Sequence, residues 1–90
     1  MPKVKFTSAL KRFFPTLGEM QIQGSTVNEA LQNINKSHPG ILSYLVEENG
    51  ALRKHVNIFV KGELIQDRLT LNDPINDQDE LVIFQALSGG

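Results

Sequence analysis

Glu80-Leu81-Val82-Ile83-Phe84-Gln85-Ala86-Leu87-Ser88-Gly89-Gly90 is the stretch whose reading decides the fold. Residues Glu80 to Ala86 are apolar enough for a strand in the middle of a sheet. Alternation puts Leu81 and Ile83 on one face and Val82 and Phe84 on the other. The strand then runs straight into a diglycine. With glycine near 7% of average composition, two at one fixed pair of positions is about a 0.5% coincidence. Glycine adds no side chain and tolerates nearly any backbone conformation. Such a tail can thread a narrow channel and present its carboxylate to another protein; the alternative is a frayed end.

Working back toward the N-terminus, Asn76-Asp77-Gln78-Asp79 and Asn72-Asp73-Pro74 are turn signals, with Leu69 and Leu71 weakly periodic before them. His55-Val56-Asn57-Ile58-Phe59-Val60-Lys61 is the clearest strand: Val56, Ile58 and Val60 face one way, Asn57, Phe59 and Lys61 the other. Gly62-Glu63 reads as a turn and Leu64-Ile65 as a short returning strand. Thr26-Val27-Asn28-Glu29 is a capping box, in which the Thr26 hydroxyl accepts from the Glu29 N–H and the Glu29 carboxylate reaches back. Val27, Ala30, Leu31 and Ile34 then repeat at helical spacing up to His38-Pro39-Gly40. Pro39 suits the first turn of a second, shorter helix faced by Ile41, Leu42, Leu45 and Val46 and ended by Asn49-Gly50. Lys3 to Thr7 and Leu17 to Gln23 alternate as two further strands, joined by a wide loop from Ser8 to Pro15.

Strands gathered around one main helix predict an α+β layer: a mixed sheet of four to five strands, its last strand central beside the first. Ninety residues form one domain (1–86), with 87–90 expected as a flexible tail. The composition, 40% hydrophobic and 21% charged, is that of a soluble protein, and no apolar run spans a bilayer. No signal-peptide pattern opens the chain, so a cytoplasmic protein is expected. A net charge of −1 argues against nucleic acid. Lys3, Lys5, Lys11 and Arg12 make the start basic. Asp73, Asp77, Asp79 and Glu80 are acidic, read either as ordinary solvated charge or as a docking surface for a basic partner close to the tail. There is no cysteine, which excludes disulfides and thiol nucleophiles. His38 and His55 lack partners at metal or catalytic spacing, and Gly24, Gly40, Gly50 and Gly62 are isolated turn glycines.

The capped helix Thr26 to Ser37, the strand His55 to Gly62 and the closing Asn76 to Gly90 together resemble the ubiquitin-like β-grasp fold. More narrowly they resemble the sulfur-carrier proteins of the ThiS/MoaD family. That family usually has Asp-Gly-Asp before the last strand and Pro-Ala or Pro-Pro after it; here Asp77-Gln78-Asp79 and Gln85-Ala86 stand there. The segment Pro39 to Lys54 makes the chain more similar to the molybdopterin-synthase small subunit and to the longer carriers of cysteine synthesis.

The resemblance implies a protein co-substrate, not an enzyme. A ubiquitin-activating-type enzyme would use ATP to adenylate the Gly90 carboxylate. A persulfide or sulfide would convert it to a thiocarboxylate, and a sulfur-accepting synthase would take the sulfur. No cofactor is expected on the chain itself; the ATP belongs to the partner. Gly89 keeps the tail thin and Gly90 supplies the carboxyl, while Leu87 to Gly90 reach on the order of 13 Å. Docking is expected through Phe59, Val82, Phe84, Leu87 and Ser88, because exposed contiguous apolar surface on a small monomer marks a partner site. Alternatively Ser8 to Pro15 folds over that patch, with Phe13 and Phe14 as the cover. The competing function is a ubiquitin-like modifier or a non-covalent interaction module.

Overall fold

Thr26 starts the main helix because its hydroxyl accepts from the Glu29 N–H at 3.2 Å in an extended N-cap conformation. In the computed structural model, which describes residues 1–85, this helix runs Val27–Ser37 and is labelled α2. The Glu29 carboxylate reaches one residue further back than the capping box predicts, to the N–H and hydroxyl of Ser25 at 2.8 and 2.9 Å. Those bonds, the backbone one foremost, hold its pKa below the usual carboxylate value. Carbonyls of Asp73 and Leu71 take the Val27 and Asn28 N–H groups, so the helix start is tied to the segment leading into the last strand. Gly24 sits so close behind that a Cβ there would meet the Ala30 backbone nitrogen at 2.8 Å.

The strands are β1 (Lys3–Phe6), β2 (Met20–Gln21), β3 (Val56–Val60), β4 (Glu63–Leu64) and β5 (Glu80–Gln85), with short helices α1 (Ser8–Lys11) and α3 (Leu42–Leu45). They form one five-stranded sheet in the order β2-β1-β5-β3-β4. β5 pairs parallel with β1 and antiparallel with β3, so the sheet is mixed and its last strand is central, as the sequence predicts. This is the β-grasp arrangement, the sheet packed on one main helix with a short second one. Val27, Ala30, Leu31 and Ile34 are fully buried, as are Val4, Val56, Ile58, Leu81 and Ile83. Each of these valine, leucine and isoleucine side chains contributes roughly 1.5–3 kcal/mol of transfer free energy, before the conformational entropy it opposes. No helix among the described residues is long and apolar enough to cross a membrane.

Four local expectations are corrected. Ser8 to Pro15 is not all loop: α1 is a single turn that carries Leu10, fully buried, into the core, and the Phe13 and Phe14 N–H groups both donate to the Leu10 carbonyl. Pro39 is outside α3, because Asn35 Oδ1 receives the Gly40 and Leu42 N–H groups, both at 3.1 Å, and so starts that helix later. The second strand contracts to two residues, although Leu17 and Ile22 on either side of it are buried. The hairpin turn is Lys61-Gly62, with φ of 55° and 80°, and Glu63 already belongs to β4. Two successive positive φ values match the twist of a two-residue hairpin loop. The expected strand residue Ala86 lies outside the described residues.

Candidate functional site

The register of the central strands assembles the apolar face that alternation predicts. Phe59 stands opposite Val82, and Asn57 opposite Phe84, while Leu81 and Ile83 point into the core with no exposure. Directly paired residues share a face of the sheet. Phe59, Val82 and Phe84 therefore lie together on the face away from α2; Phe59 and Val82 are half-buried and Phe84 is 42% exposed. Leu64 joins them, paired with Phe59 and 55% exposed. The sequence reading missed it because a turn at Gly62-Glu63 pairs Leu64 with Lys61; the turn at Lys61-Gly62 pairs it with Phe59.

Phe13 and Phe14 do not cover this patch. Their rings pack on Tyr44 of α3, with centroids at 5.1 and 5.3 Å, the second pair edge-on. That is the geometry aromatic quadrupoles prefer. The patch is bordered on the β1 side by charge: Lys5 Nζ lies 3.5 Å from Glu80 and 3.9 Å from Glu19, and Lys3 lies 3.3 Å from Glu19. On the β3 side Arg68, unnoticed in the sequence, spans from Asn57 Oδ1 at 3.2 Å to the Arg53 carbonyl at 2.7 Å.

The acidic stretch lies at the start of β5: Glu80 opens the strand with Asp79 just before it, and Gln85 is at the other end, roughly 17 Å away at about 3.3 Å per residue. Its carboxylates also have tasks within the domain. Asp79, 5% exposed, receives the Asn76 N–H at 2.7 Å and pairs with Lys61 at 3.5 Å, shaping the turn that feeds β5. Asp77 lies 3.7 Å from the N-terminal amine, and Asp73 receives the Gln66 and Asp67 N–H groups at 2.9 and 2.8 Å. Asp67 in turn ties the same loop. The Thr70 hydroxyl, then the N–H groups of Thr70, Asn72 and Leu69, donate to its carboxylate and hold its pKa down to about 2.

Among the described residues no group of three His, Cys, Asp or Glu could hold a metal ion. His38 packs at the end of α2 with Nδ1 buried and unpartnered, and His55 is exposed before β3, so the two histidines assemble no site with carboxylates. Leu87, Ser88, Gly89 and Gly90 lie outside the described residues. What the arrangement can do chemically is present a protein surface on a rigid sheet whose central strand leads to the chain's last five residues.

Comparison with known proteins follows this geometry. A family model described as the ThiS family matches residues 7–90. Small archaeal modifier protein 1 of Haloferax volcanii is 32% identical over 66 residues, covering 73% of this chain and 71% of the relative. A chain in the crystal structure of the Amycolatopsis orientalis BexX/CysO complex superposes with a TM-score of 0.85 at 26% identity, covering 100% of both chains. The crystal structure of SAMP1 from Haloferax volcanii gives 0.76 at 27% identity, covering 98% of this chain and 97% of that one.

Proposed function

The chain belongs to the ThiS family of small ubiquitin-like sulfur carriers and modifiers, which act as protein partners rather than as enzymes, and on that premise we propose that it carries sulfur on its C-terminal glycine. The observation that supports this most is the placement of β5. The strand is paired on both sides and runs to within five residues of Gly90, and the family match extends through Gly90 itself.

A carboxylate is a poor electrophile, fully ionised at neutral pH. A ubiquitin-activating-type enzyme supplies the activation. The Gly90 carboxylate oxygen attacks the α-phosphorus of ATP, giving the acyl-adenylate and pyrophosphate. Sulfide then displaces AMP, forming the C–S bond of the thiocarboxylate and releasing a proton. Where the donor is a persulfide, its terminal sulfur displaces AMP, and a thiol then cleaves the S–S bond of the acyl disulfide. That thiol is oxidised to a disulfide with the donor as the thiocarboxylate leaves. The thiocarboxylate sulfur next attacks a synthase-bound electrophile and displaces its leaving group, giving an acyl thioester with the acceptor; water then cleaves that acyl C–S bond, leaving the sulfur on the acceptor and regenerating the carboxylate. ATP is bound and spent on the partner, in the cytoplasm. Phe59, Val82, Phe84 and Leu64 dock the domain, Leu87 and Ser88 line the approach, a Cβ at Gly89 would widen the tail, and one at Gly90 would crowd the reacting carbon.

The experiment is an intact mass after incubation with activating enzyme, ATP and a sulfur source. Exchange of one oxygen for sulfur supports the carrier. Removing Gly90 should abolish that exchange and leave the unfolding curve unchanged; conversion of the shortened chain would refute the assignment of Gly90. A second reading, favoured by the similarity to small archaeal modifier protein 1, has the same acyl-adenylate captured by a lysine amine as an isopeptide bond. A lysine-linked adduct without thiocarboxylate would decide for it.

A further inference from the structure

The parallel pairing of β1 with β5 brings chemistry together that the sequence scatters. Thr7, just past β1, donates its N–H to the Ile83 carbonyl, and its hydroxyl receives the Gln85 N–H at 3.4 Å. Segment 8–14, with Lys11, Arg12 and Phe13, therefore leaves β1 at the end of the sheet from which the chain exits after Gln85. β3 runs antiparallel with Val56 opposite Gln85, so Lys54 precedes it at that same end. Arg68 is tied there through Asn57 and the Arg53 carbonyl. The Arg53 N–H donates to the Leu45 carbonyl, which brings α3 and Tyr44 to this end as well.

Lys11, Arg12, Lys54 and Arg68 have no carboxylate within ion-pair distance among the described residues, whereas Lys3, Lys5, Arg53 and Lys61 all have one. Phe13 directly follows Lys11 and Arg12, 56% exposed, its ring packed against Tyr44. The acidic turn of Asp77 to Glu80 lies at the opposite end of β5. Those turn carboxylates are partnered by the N-terminal amine, Lys5 and Lys61, so the two ends of β5 differ in that the cations of the exit end stand without such partners among the described residues.

From this juxtaposition we infer that the exit end is a second docking surface, adjoining the open sheet face at Arg68, and that its partner is an acidic protein surface around the channel that receives the tail. Arginine and a rigid, exposed aromatic ring are the residue types that anchor protein interfaces. Unpaired cations at the end that must enter first steer the domain tail-forward toward a negative patch. A polynucleotide fits worse, because the unpaired cations are few and an exposed aromatic ring stands directly after two of them.

The inference rests on the sulfur-carrier reading, and one assay separates their failures. Thiocarboxylate formation by the full chain is measured with a ubiquitin-activating-type enzyme from the same genome. The chains compared are wild type, the triple variant Lys11→Glu/Arg12→Glu/Lys54→Glu, Phe13→Ala, and the control Gln78→Glu at the acidic end. At low ionic strength the triple variant should raise KM roughly tenfold or more with kcat unchanged, and the difference should shrink to about twofold in roughly 0.3 M salt. Phe13→Ala should raise KM at both salts, and Gln78→Glu should leave it unchanged. A triple variant within about twofold of wild type at low salt overturns the inference while leaving the carrier intact. Absence of thiocarboxylate from wild type overturns the carrier reading and this surface with it. Wild type that binds labelled RNA or duplex DNA at about 0.15 M salt, through the same cations, overturns the assignment to a protein partner.

Discussion

Neighbouring residues of β5 should fail in opposite ways, and the pair Ile83 and Phe84 tests it. Ile83 is fully buried, so Ile83→Ala leaves a cavity under α2 and should cost about 2–5 kcal/mol of stability. Phe84 points to the open face at 42% exposure. Of the 150–250 Å² that a phenylalanine can bury, about 60–100 Å² is still open to a partner. At about 25 cal/mol per Å² that area is worth about 1.5–2.5 kcal/mol on docking, or roughly 10- to 70-fold in affinity. Phe84→Ala should therefore raise KM for the activating enzyme by that factor with kcat unchanged, and lower stability by no more than about 1 kcal/mol, the span of strand propensity. Urea unfolding and steady-state adenylation, run on both variants, give the two axes. A Phe84→Ala protein with wild-type KM refutes the docking face. An Ile83→Ala protein as stable as wild type refutes the face assignment of the strand.

Three further predictions concern the frame that holds β5. Gly24→Ala places a methyl 2.8 Å from the Ala30 nitrogen, a backbone atom that cannot step aside, and should lower stability by roughly 1–3 kcal/mol in a thermal melt. Asp79→Ala leaves the Asn76 N–H without its acceptor and should cost roughly 1–3 kcal/mol by urea titration, with a smaller loss for Asp79→Asn, which keeps an acceptor oxygen. The folded pKa of Asp67 is depressed, so the stability it contributes is complete above its unfolded value of 3.8 and is lost as pH falls toward about 2. Asp67→Asn should accordingly flatten the acid limb of a stability-versus-pH curve between those values and change little in its slope near neutrality; an unchanged acid limb would contradict the loop bonding.

Which parts of this were legible in the sequence follows from how local each signal is. The face of Leu81 and Ile83 was readable because a period of two admits only two answers, and the wrong one would bury Glu80. The start of α2 was readable because its capping chemistry is confined to Ser25 through Glu29. Helix α1 was not, since a four-residue turn holds too little sequence for a helical period to show. Asp79 looked like an exposed turn residue; its burial depends on Lys61 arriving from the β3–β4 hairpin. The carboxylates of Asp67 and Asp73 work on one another's loop, which no spacing rule identifies. The cationic end was least visible of all, because Lys11 and Arg12 reach it through the parallel β1–β5 pair, and Lys54 and Arg68 through the antiparallel β3–β5 pair.

The position of β5 connects these observations to the proposed chemistry. A tail drawn into an enzyme pulls on the strand it follows, and an edge strand could be peeled away one ladder bond at a time. β5 is instead held by four residue pairs to β1 and five to β3, with Leu81 and Ile83 anchored beneath α2. Loosening it means breaking two ladders and opening the core together, which makes the pull a global rather than a local event. The turn at Asn76–Asp79 fixes where the strand begins, and the bonds of Leu71 and Asp73 to the start of α2 fix that segment to the helix. Burial and hydrogen bonding are thus concentrated on the last strand, which in the proposed cycle is the element that must resist the pull.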